Sequence, residues 1–512
     1  MTHSFNLIDQ PWIPCITTNG EFVEVSLYKL FTEAQYLREI CCETPIMTAS
    51  IFPLALAILH RVFGPEDVEA WEALWTQGAF PIEPLESYFN QWYDRFDLFH
   101  PERPFYQMKD DRGNEKSVLY LAEAIANTHT LFTHATEETT TALSPSQVAR
   151  TLLVAQAFRL GGGNSGKNTP NFVDSIFAKG VLFFAQGTNL FESLMFNLIA
   201  YPDESYMLSQ QNDKPFWEKD NPIEGRRVGQ KMLHLIPLGY LDYLTWQTNH
   251  VWLVPETTAE GTSVARIVLI PVAKLADEVH SPQKRYIKRE KKGEITWSFL
   301  YFNTDRALWR DFHSLLALDQ EDIKPPAVIQ WLARLKRHGI LSPTQPVKLM
   351  AIGRLADQAK PIFYRQEIMP LPLNLLNSKQ GIVEQAIQHA EATAEKLRYA
   401  IRLLAENVLM RGGDRQPDSG DRDKLIQQWD ALATYWEALE SSFWQFIADL
   451  SSGVEDAPDQ WITTLCSTAK NALNKAAQMA GESPSALKGS VIAQRALDGG
   501  LKKLFNSVGE IR

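Results

Sequence analysis

The chain has 512 residues, of which 45% are hydrophobic, and it carries a formal net charge of −11 at pH 7. This composition excludes a disordered chain, and the length exceeds the roughly 250–300 residues at which one hydrophobic core stops growing, so we expect more than one domain. Proteins that bind nucleic acid on their own are usually basic, so any such contact here must come from local basic patches.

The cysteines and the apolar segments exclude several classes of protein. Cys15, Cys41, Cys42 and Cys466 form no CxxC pair and have no histidine at zinc-ligand spacing. We therefore expect no metal, no cofactor and reduced thiols. The most apolar stretch, Ala49 to Leu59, is shorter than the ~20 residues that a membrane span needs, and the chain opens without a signal peptide. The sequence predicts a cytoplasmic protein.

The first distinctive motif is the glycine-rich run at residues 161–169, GGGNSGKNT. It nearly matches the P-loop pattern GxxxxGK[ST], in which glycines join a strand to a helix and the final hydroxyl holds Mg²⁺. Asn168 takes the hydroxyl position and Pro170 follows where a helix would continue, which disfavours nucleotide hydrolysis. Consecutive glycines still let backbone N–H groups approach a phosphate or a DNA groove. A plain flexible turn is the alternative.

Strand-like runs such as Val251–Pro255 and Ile295–Phe302 alternate with helical stretches over the first two-thirds of the chain, which predicts a mixed α/β domain. Between these runs, Arg266 to Lys292 contains eight Lys or Arg against three acidic residues, a balance of +5. The densest part, Lys284 to Lys292, is typical of a segment that contacts phosphates, or of a solvated hairpin.

The last third has sustained helical periodicity and few prolines. A first helix is predicted from about Gly381 to Met410. Apolar residues then repeat every three or four positions along one predicted helix, namely Leu425, Trp429, Leu432, Trp436, Leu439, Phe443, Phe446 and Leu450. Breakers near 411–417, 451–454 and 481–484 divide the region into four segments. We expect an α+β protein, with a mixed α/β domain at 1–375 and an antiparallel four-helix bundle at 380–512.

No catalytic constellation is found in the sequence. HExxH and GxSxG motifs are missing, and no His–Asp pair of the phosphohydrolase kind occurs. We expect a protein that is not an enzyme. Two other functions stay open: a P-loop-like ATPase built on the glycine-rich run, and a helical scaffold unrelated to nucleic acid.

Short segments along the whole chain resemble one protein family. The opening segment Phe5–Pro14 reads FNLIDQPWIP and is followed by a strand-like region through Leu27. The later segments are His100–Gln107, Gly161–Gly163, Thr169–Val173, Leu244–Gln247, His280–Pro282, Gly353 and Gln358. Taken in this order and spacing, they resemble the CasA family, the large subunit of the type I-E CRISPR Cascade complex.

The resemblance implies a subunit of an RNA-guided surveillance complex that lies by the 5′ handle of the CRISPR RNA (crRNA). Such a subunit recognises the protospacer-adjacent motif (PAM) in double-stranded DNA, starts strand separation and helps to recruit a helicase–nuclease. The implied partners are crRNA, double-stranded target DNA, a small-subunit dimer, backbone subunits and a handle-binding subunit. No membrane and no catalysis by this chain are implied.

The resemblance also assigns roles to individual residues. A glycine loop falls on Gly161, Gly162 and Gly163, and a glutamine wedge falls on Gln358. A basic finger falls on Arg266, or on Lys274 if a gap intervenes. A loop that contacts the crRNA handle matches Phe132, Thr133 and His134. Phosphate contacts are expected from the basic run, at Lys284, Arg285, Lys288, Arg289, Lys291 and Lys292. Some family members have a cysteine cluster before the finger, but residues 256–263 contain none, so no metal is carried over.

Overall fold

The computed structural model describes residues 3–121, 142–163, 169–200, 213–220, 233–259, 261–357, 360–376, 379–410 and 417–509. The chain divides into two compact units. Unit 1 comprises Met1–Thr304 and Gln320–Leu373, and unit 2 comprises Asp305–Asp319 and Asn374–Arg512. The predicted combination of helices and strands, with a helical region at the C-terminal end, is confirmed.

The described strands all belong to unit 1. They are β1 (Ile13–Thr17), β2 (Phe22–Val25), β3 (Leu37–Ile40), β4 (Glu115–Ser117), β5 (Val181–Gln186), β6 (Leu233–Leu235), β7 (Asn249–Thr258), β8 (Gly261–Pro271), β9 (Ala273–Leu275), β10 (Tyr286–Lys291), β11 (Glu294–Phe299), β12 (Ile323–Lys324), β13 (Lys348–Asp357) and β14 (Lys360–Pro370). They form small sheets with the orders β2-β1-β3, β11-β10-β12, β14-β13-β5 and β4-β8-β7, and β6 pairs with β9. The β6–β9 pair is parallel and the other described pairs are antiparallel.

The helices occur in both units. They are α1 (Leu27–Thr32), α2 (Pro45–Val62), α3 (Val68–Trp75), α4 (Ile82–Trp92), α5 (Pro145–Ala157), α6 (Leu190–Asn197), α7 (Tyr240–Leu244), α8 (Phe312–Leu315), α9 (Ala327–Arg337), α10 (Gln380–Met410), α11 (Ser419–Trp429), α12 (Ala431–Ser452), α13 (Ala457–Ala480) and α14 (Pro484–Gly509). α8 and α10–α14 belong to unit 2.

The core of unit 1 is built around α2 and β5. α2 begins where the Thr44 side chain accepts a hydrogen bond from the Met47 N–H, and Pro45 takes the first helical position. The helix contains the whole apolar stretch Ala49 to Leu59 and extends beyond it at both ends. By length and composition it could cross a membrane, but 78% of it is buried inside the protein, as in a core helix. The Phe52 ring stacks on Phe184 of β5 at 4.9 Å, which joins the helix to the sheet β14-β13-β5.

The long helices of unit 2 begin with α10, which starts one residue from the predicted position. α10 packs against α13 and α14, and α13 also packs against α12 and α14. Gly489 of α14 permits a close approach, because a Cβ there would lie 2.9 Å from the Asn407 Cβ. The antiparallel four-helix arrangement remains a prediction in its detail, since α11 adds a short helix to the four long ones.

The single helix predicted over residues 425–450 is wrong, because Asp430 interrupts it. Asp430 has φ +44° and ψ +35°, the left-handed conformation, and separates α11 from α12. Asp is among the few non-glycine residues that visit this conformation readily. Beyond the break, Leu439, Phe443, Phe446 and Leu450 of the predicted seam are buried on α12 together with Tyr435 and Ile447, while Trp436 is only half-buried.

Unit 2 also contains a segment that the sequence placed in the first domain. Residues Asp305–Asp319 belong to unit 2. The Trp309 ring stacks on Phe443 at 4.6 Å, and the Arg310 guanidinium donates to Glu391 at 2.7 and 2.8 Å. Arg310 also lies 3.7 Å from the centre of the Trp436 ring. These contacts, made over more than 80 positions of sequence, hold the segment on the helices.

Candidate nucleic-acid interface

The glycine stem, Gly161–Gly163, lies shortly after α5 and is fastened to Phe172 and Asp174. The Gly162 N–H donates to the Phe172 carbonyl at 2.9 Å, and the Phe172 N–H donates to the Gly163 carbonyl at 3.0 Å. The Gly161 N–H donates to Oδ1 of Asp174 at 2.9 Å. Residues 164–168 lie outside the described residues.

The glycines of the stem are needed for different reasons. A Cβ on Gly161 would lie 3.0 Å from the Phe172 carbonyl oxygen, so a side chain there would require the backbone of residues 172–174 to shift by a few tenths of an ångström. Gly162 has φ +125°, which L side chains rarely adopt, although open space surrounds its Cβ position. The N–H groups of Gly161 and Gly162 are already used within the protein. What the stem offers to DNA is therefore an exposed backbone without side chains at Gly162 and Gly163.

The stem does not have the geometry of a P-loop. A P-loop joins a strand to the N-terminus of a following helix, whose N–H groups meet the phosphates. Here α5 precedes the glycines, and the described residues 169–180 contain no helix. The described part of this segment therefore does not favour nucleotide hydrolysis.

The Phe172 side chain connects the glycine stem to β4. Its ring is buried and lies 4.2 Å from the Arg159 guanidinium carbon and 5.9 Å from Lys116 Nζ. Arg159 also donates to the Tyr120 carbonyl at 2.7 Å. Because Lys116 belongs to β4, these contacts bring the sheet β4-β8-β7 beside the stem.

Arg266, the first candidate for the basic finger, lies on β8 in the middle of that sheet. Its register partner on β4 is Ser117, and on β7 it is Val254. The guanidinium donates to Glu115 at 2.7 Å and to Glu256 at 2.8 and 3.1 Å. The side chain is 53% exposed, and its pKa is raised by the hydrogen bond to Glu256 and by the charge of Glu115.

Lys274, the other candidate, lies on β9. Its ammonium pairs with Asp277 at 2.6 Å, and this hydrogen bond lowers the pKa of the Asp277 carboxyl. Its register partner is His234 on β6. The contacts of the described residues connect Arg266 to the glycine stem through β4, and they give no such connection for Lys274. This geometry favours Arg266.

Two of the six predicted phosphate contacts are wrong for this structure, because Lys284 and Arg285 are buried. The Lys284 ammonium donates to the Ile176 carbonyl at 3.1 Å and lies 4.8 Å from the centre of the Phe299 ring. Burial lowers the pKa of Lys284 from 10.5 to about 7. The predicted basic segment therefore begins with two buried side chains, which do not face solvent.

The rest of the run forms the basic hairpin, β10 and β11 with their connecting turn. Lys292 and Gly293 make the turn with φ +54° and +81°, as expected for a two-residue hairpin connection. Lys288 is partly exposed and lies 3.4 Å from Asp322. Arg289, Lys291 and Lys292 are exposed. The sequence left two interpretations of this segment open, a solvated hairpin and a segment that binds phosphates. The exposed cations on the hairpin are compatible with both.

The root of the basic hairpin contacts the elements around the stem. A Cβ on Gly180 would lie 2.5 Å from the Phe299 ring, so only glycine fits there. Gly353 of β13 also packs against Gly180, because a Cβ on Gly353 would lie 2.8 Å from the Gly180 carbonyl oxygen. The next residue, Arg354, donates to the Phe158 carbonyl at 2.5 Å. The hairpin root and β13 therefore contact the segments that flank the stem, at Gly180 and at Phe158.

Four predicted site residues lie outside the described residues: Gln358, Phe132, Thr133 and His134. Asp357 of β13 pairs with Lys360 of β14, so residues 358 and 359 connect register partners in the chain. The roles of these four residues remain predictions. Among the described residues, no group of three or more His, Cys, Asp or Glu side chains could hold a metal ion.

Three acidic residues that the sequence did not single out shape this region. Asp174 uses Oδ1 for Gly161 and pairs through Oδ2 with Lys179 at 2.5 Å. Glu115 and Glu256 hold Arg266. Asp174 directly follows the motif Thr169–Val173, which is the one signal that could have drawn attention to it. Glu115 is 151 positions from Arg266, so no local pattern could have paired them.

Comparisons with known proteins agree with the resemblance. The family model of the CRISPR-associated protein Cse1 matches residues 6–478. The CRISPR-associated protein CasA/Cse1 of Thermus thermophilus is 31% identical, over 99% of this chain and 98% of that protein. The crystal structure of Thermus thermophilus CasA superposes with a TM-score of 0.81 at 28% identity, covering 98% of this chain and 100% of the other.

A chain in a structure described as a CRISPR RNA-guided surveillance complex shares the fold, with a TM-score of 0.72 at 18% identity over 97% of this chain and 99% of that one. The match of the family model, the identity to the Thermus thermophilus relative and the shared fold extend over nearly the whole chain. The chain belongs to the Cse1 family of CRISPR-associated proteins, whose members are also called CasA.

Proposed function

We propose that this chain is the large subunit of an RNA-guided surveillance complex and that it reads the PAM in double-stranded DNA. The observation that carries the proposal is the set of contacts that join the segments on either side of the glycine stem, at Phe158, Phe172 and Ile176, to the Arg266 sheet, the basic hairpin and β13. An exposed backbone without side chains can approach a groove floor closely, and a guanidinium is suited to a narrow minor groove.

Minor-groove patterns distinguish A·T from G·C and little more, so a reader of this kind accepts several motifs. Base pairing by the guide supplies the remaining specificity. In this proposal Gln358 inserts beside the motif and starts strand separation, while Lys288, Arg289, Lys291 and Lys292 contact phosphates. Phe132, Thr133 and His134 contact the crRNA handle.

The proposed partners are crRNA, target duplex, a small-subunit dimer, backbone subunits and a handle-binding subunit, in the cytoplasm. A helicase–nuclease recruited after DNA binding performs the cleavage, and this chain is not an enzyme. The alternative of a P-loop-like ATPase has no support from the stem, where the helix precedes the glycines. Membership of the Cse1 family argues against a scaffold unrelated to nucleic acid.

Selection from a duplex library tests the proposal. A guide-matched target carrying a randomised motif is bound by the reconstituted complex, with and without this chain, and the retained duplexes are sequenced. We expect a restricted set of motifs only when the chain is present. The same enrichment in its absence would contradict the proposed role.

A further inference from the structure

Arg266 and two carboxylates form a small surface group, the acid–arginine cluster of Glu115, Arg266 and Glu256. The carboxylates come from the strands on either side of β8, so they approach the guanidinium from both flanks. The N–O distances are 2.7 Å to Glu115 and 2.8 Å to Glu256. All three side chains are between 41% and 53% exposed. The cluster is therefore accessible to a large partner.

The charges of the cluster are unfavourable for DNA. One guanidinium and two carboxylates sum to −1, although the resemblance assigns Arg266 to DNA. To contact a phosphate or a groove edge, Arg266 must exchange hydrogen bonds with Glu115 and Glu256 for hydrogen bonds with DNA. Exposed ion pairs are weak, so this exchange is possible, but it removes much of the gain that a lone arginine would have.

We infer that Glu115 and Glu256 are positioning residues, which compete with DNA for Arg266 and thereby limit the affinity of the chain for duplex. The inference rests on the proposed function of Arg266 in reading the motif.

The physical reason is the exchange of hydrogen bonds that DNA binding requires. On motif-free duplex, Arg266 meets only phosphates, and the two carboxylates compete for it and repel the backbone. On a correct motif, Arg266 makes more contacts and is released more completely, so binding bears the full cost of breaking the ion pairs. Neutralising the carboxylates therefore strengthens binding to both duplexes, and to the motif-bearing duplex at least as much.

An ordinary sheet-stabilising role for the cluster makes a different prediction. If Glu115 and Glu256 only join neighbouring strands, their neutralisation lowers the stability of the sheet and leaves the affinity for DNA unchanged or weaker. If they hold Arg266, neutralisation strengthens binding to DNA, and this gain depends on Arg266.

The test uses the complex reconstituted with Glu115→Gln, Glu256→Gln and the double variant, each with Arg266 and with Arg266→Ala. Affinities are measured at one salt concentration for guide-matched duplexes with and without the motif. With Arg266 present, we expect each Gln to raise affinity for motif-bearing duplex about two- to fivefold, the size of exposed ion pairs. The motif-free duplex gains the same factor or less, so discrimination does not fall. In the Arg266→Ala series the gain disappears.

Two control variants distinguish the release of Arg266 from a change in net charge and from the release of Lys274. Glu395→Gln removes an exposed carboxylate that pairs with Arg398 in unit 2, and it controls for net charge. Asp277→Asn removes the partner of Lys274. A gain in Asp277→Asn but not in the Glu variants would overturn the inference, as would a gain that persists in the Arg266→Ala series, or affinities of the Glu variants that equal those of the wild type on both duplexes. If Arg266→Ala itself changes neither affinity, the proposed function of Arg266 fails, which is a separate result.

Discussion

The Asp174 carboxylate shows how one residue positions a backbone for binding. One oxygen accepts from the Gly161 N–H and the other pairs with Lys179, which is half-exposed. Because Gly162 and Gly163 are tied to Phe172 by backbone hydrogen bonds, the stem has a defined conformation in the protein alone. A preformed binding surface loses less conformational entropy when it binds.

Lys284 is predicted to make the stability of the fold depend on pH. Its pKa is about 7 in the folded chain, mainly because of burial, with Asp174 raising it and Lys179 lowering it further, whereas the unfolded value is 10.5. Between these pH values the unfolded chain binds a proton that the folded chain lacks. This group therefore lowers stability below pH 7, and its contribution improves as the pH rises toward 10.5.

Lys284→Met removes that titration. We expect the free energy of unfolding of the wild type, relative to Lys284→Met, to rise with pH between 7 and 10, by up to about 1.4 kcal/mol per pH unit. Urea unfolding at several pH values measures this. Lys288→Met, at a partly exposed position, should follow the wild-type profile. Parallel profiles for wild type and Lys284→Met would disprove the assignment.

Gln358 lies outside the described residues, and its predicted role as a wedge is tested kinetically. Opening one base pair costs a few kcal/mol, so a side chain that fills the gap speeds the start of the guide–DNA heteroduplex. We expect Gln358→Ala to slow R-loop formation on intact duplex and to recover on duplex with mismatches beside the motif. A residue that reads motif bases would instead change the motif preference and show no recovery.

At the scale of elements, the basic hairpin presents its charges at one end. Lys284 and Arg285 lie inside at its root, while Arg289, Lys291 and Lys292 are exposed near the turn. The turn geometry at Lys292 and Gly293 fixes this arrangement, because both residues have positive φ.

The exposed cations of the hairpin are predicted to contact phosphates. The variant Arg289→Gln, Lys291→Gln and Lys292→Asn keeps a residue that tolerates positive φ at the turn. Each lost contact should reduce the slope of log affinity against log salt by about 0.9. Equilibrium binding between low and moderate salt measures the slope, and all motifs should weaken equally.

Three exposed cations elsewhere provide a matched control for the hairpin variant. Lys29, Arg38 and Lys109 have side chains that are 58%, 49% and 70% exposed. Their replacement by Gln should leave the slope unchanged. If the slope of the hairpin variant is also unchanged, the basic hairpin is a solvated hairpin without a role in DNA binding.

Local sequence patterns predicted which helices and strands form better than they predicted the tertiary contacts that these elements make. The start of α10 was predicted to within one residue, because helical periodicity is recorded in the sequence itself. The break at Asp430 could not be seen, since aspartate occurs both within helices and at left-handed positions. The burial of Lys284 depends on the Ile176 carbonyl, 108 positions away. Arg266 was identified through the family resemblance, but its carboxylate partners depend on strand pairing that the sequence does not specify.

At the scale of the whole molecule, the chain combines a mixed α/β unit with a helical unit that also takes in Asp305–Asp319. The site residues that the structure describes all belong to unit 1. We therefore expect variants of these described site residues to alter DNA binding while the complex still assembles.

Attachment of the chain to the complex is predicted to depend on Phe132, which lies outside the described residues. Stacking of an aromatic side chain on a base contributes about 1–3 kcal/mol. Phe132→Ala should therefore release this chain from an otherwise intact complex during gel filtration, whereas Phe22→Ala, at an exposed position of β2, should not. Normal retention of Phe132→Ala would count against the handle contact.

The proposal that this chain reads the PAM depends most on one claim, that the glycine stem is the surface that contacts DNA. In Gly162→Leu the side chain has room within the protein, because nothing lies within 4 Å of the Cβ position, so it projects into the space that DNA would occupy. Gly20→Leu is the matched control, with φ +89° and equally open space in the β1–β2 turn. Both variants carry backbone strain of roughly 1–3 kcal/mol, so thermal unfolding must show that they are folded to the same extent.

The deciding measurement is the affinity of the assembled complex for guide-matched duplex with and without the motif. For Gly162→Leu we predict normal assembly and a loss of roughly tenfold or more on motif-bearing duplex, with little change on motif-free duplex. Gly20→Leu should bind both duplexes as the wild type does. Wild-type affinity of Gly162→Leu for the motif-bearing duplex would remove the glycine stem from the DNA site and contradict the proposed reading of the motif.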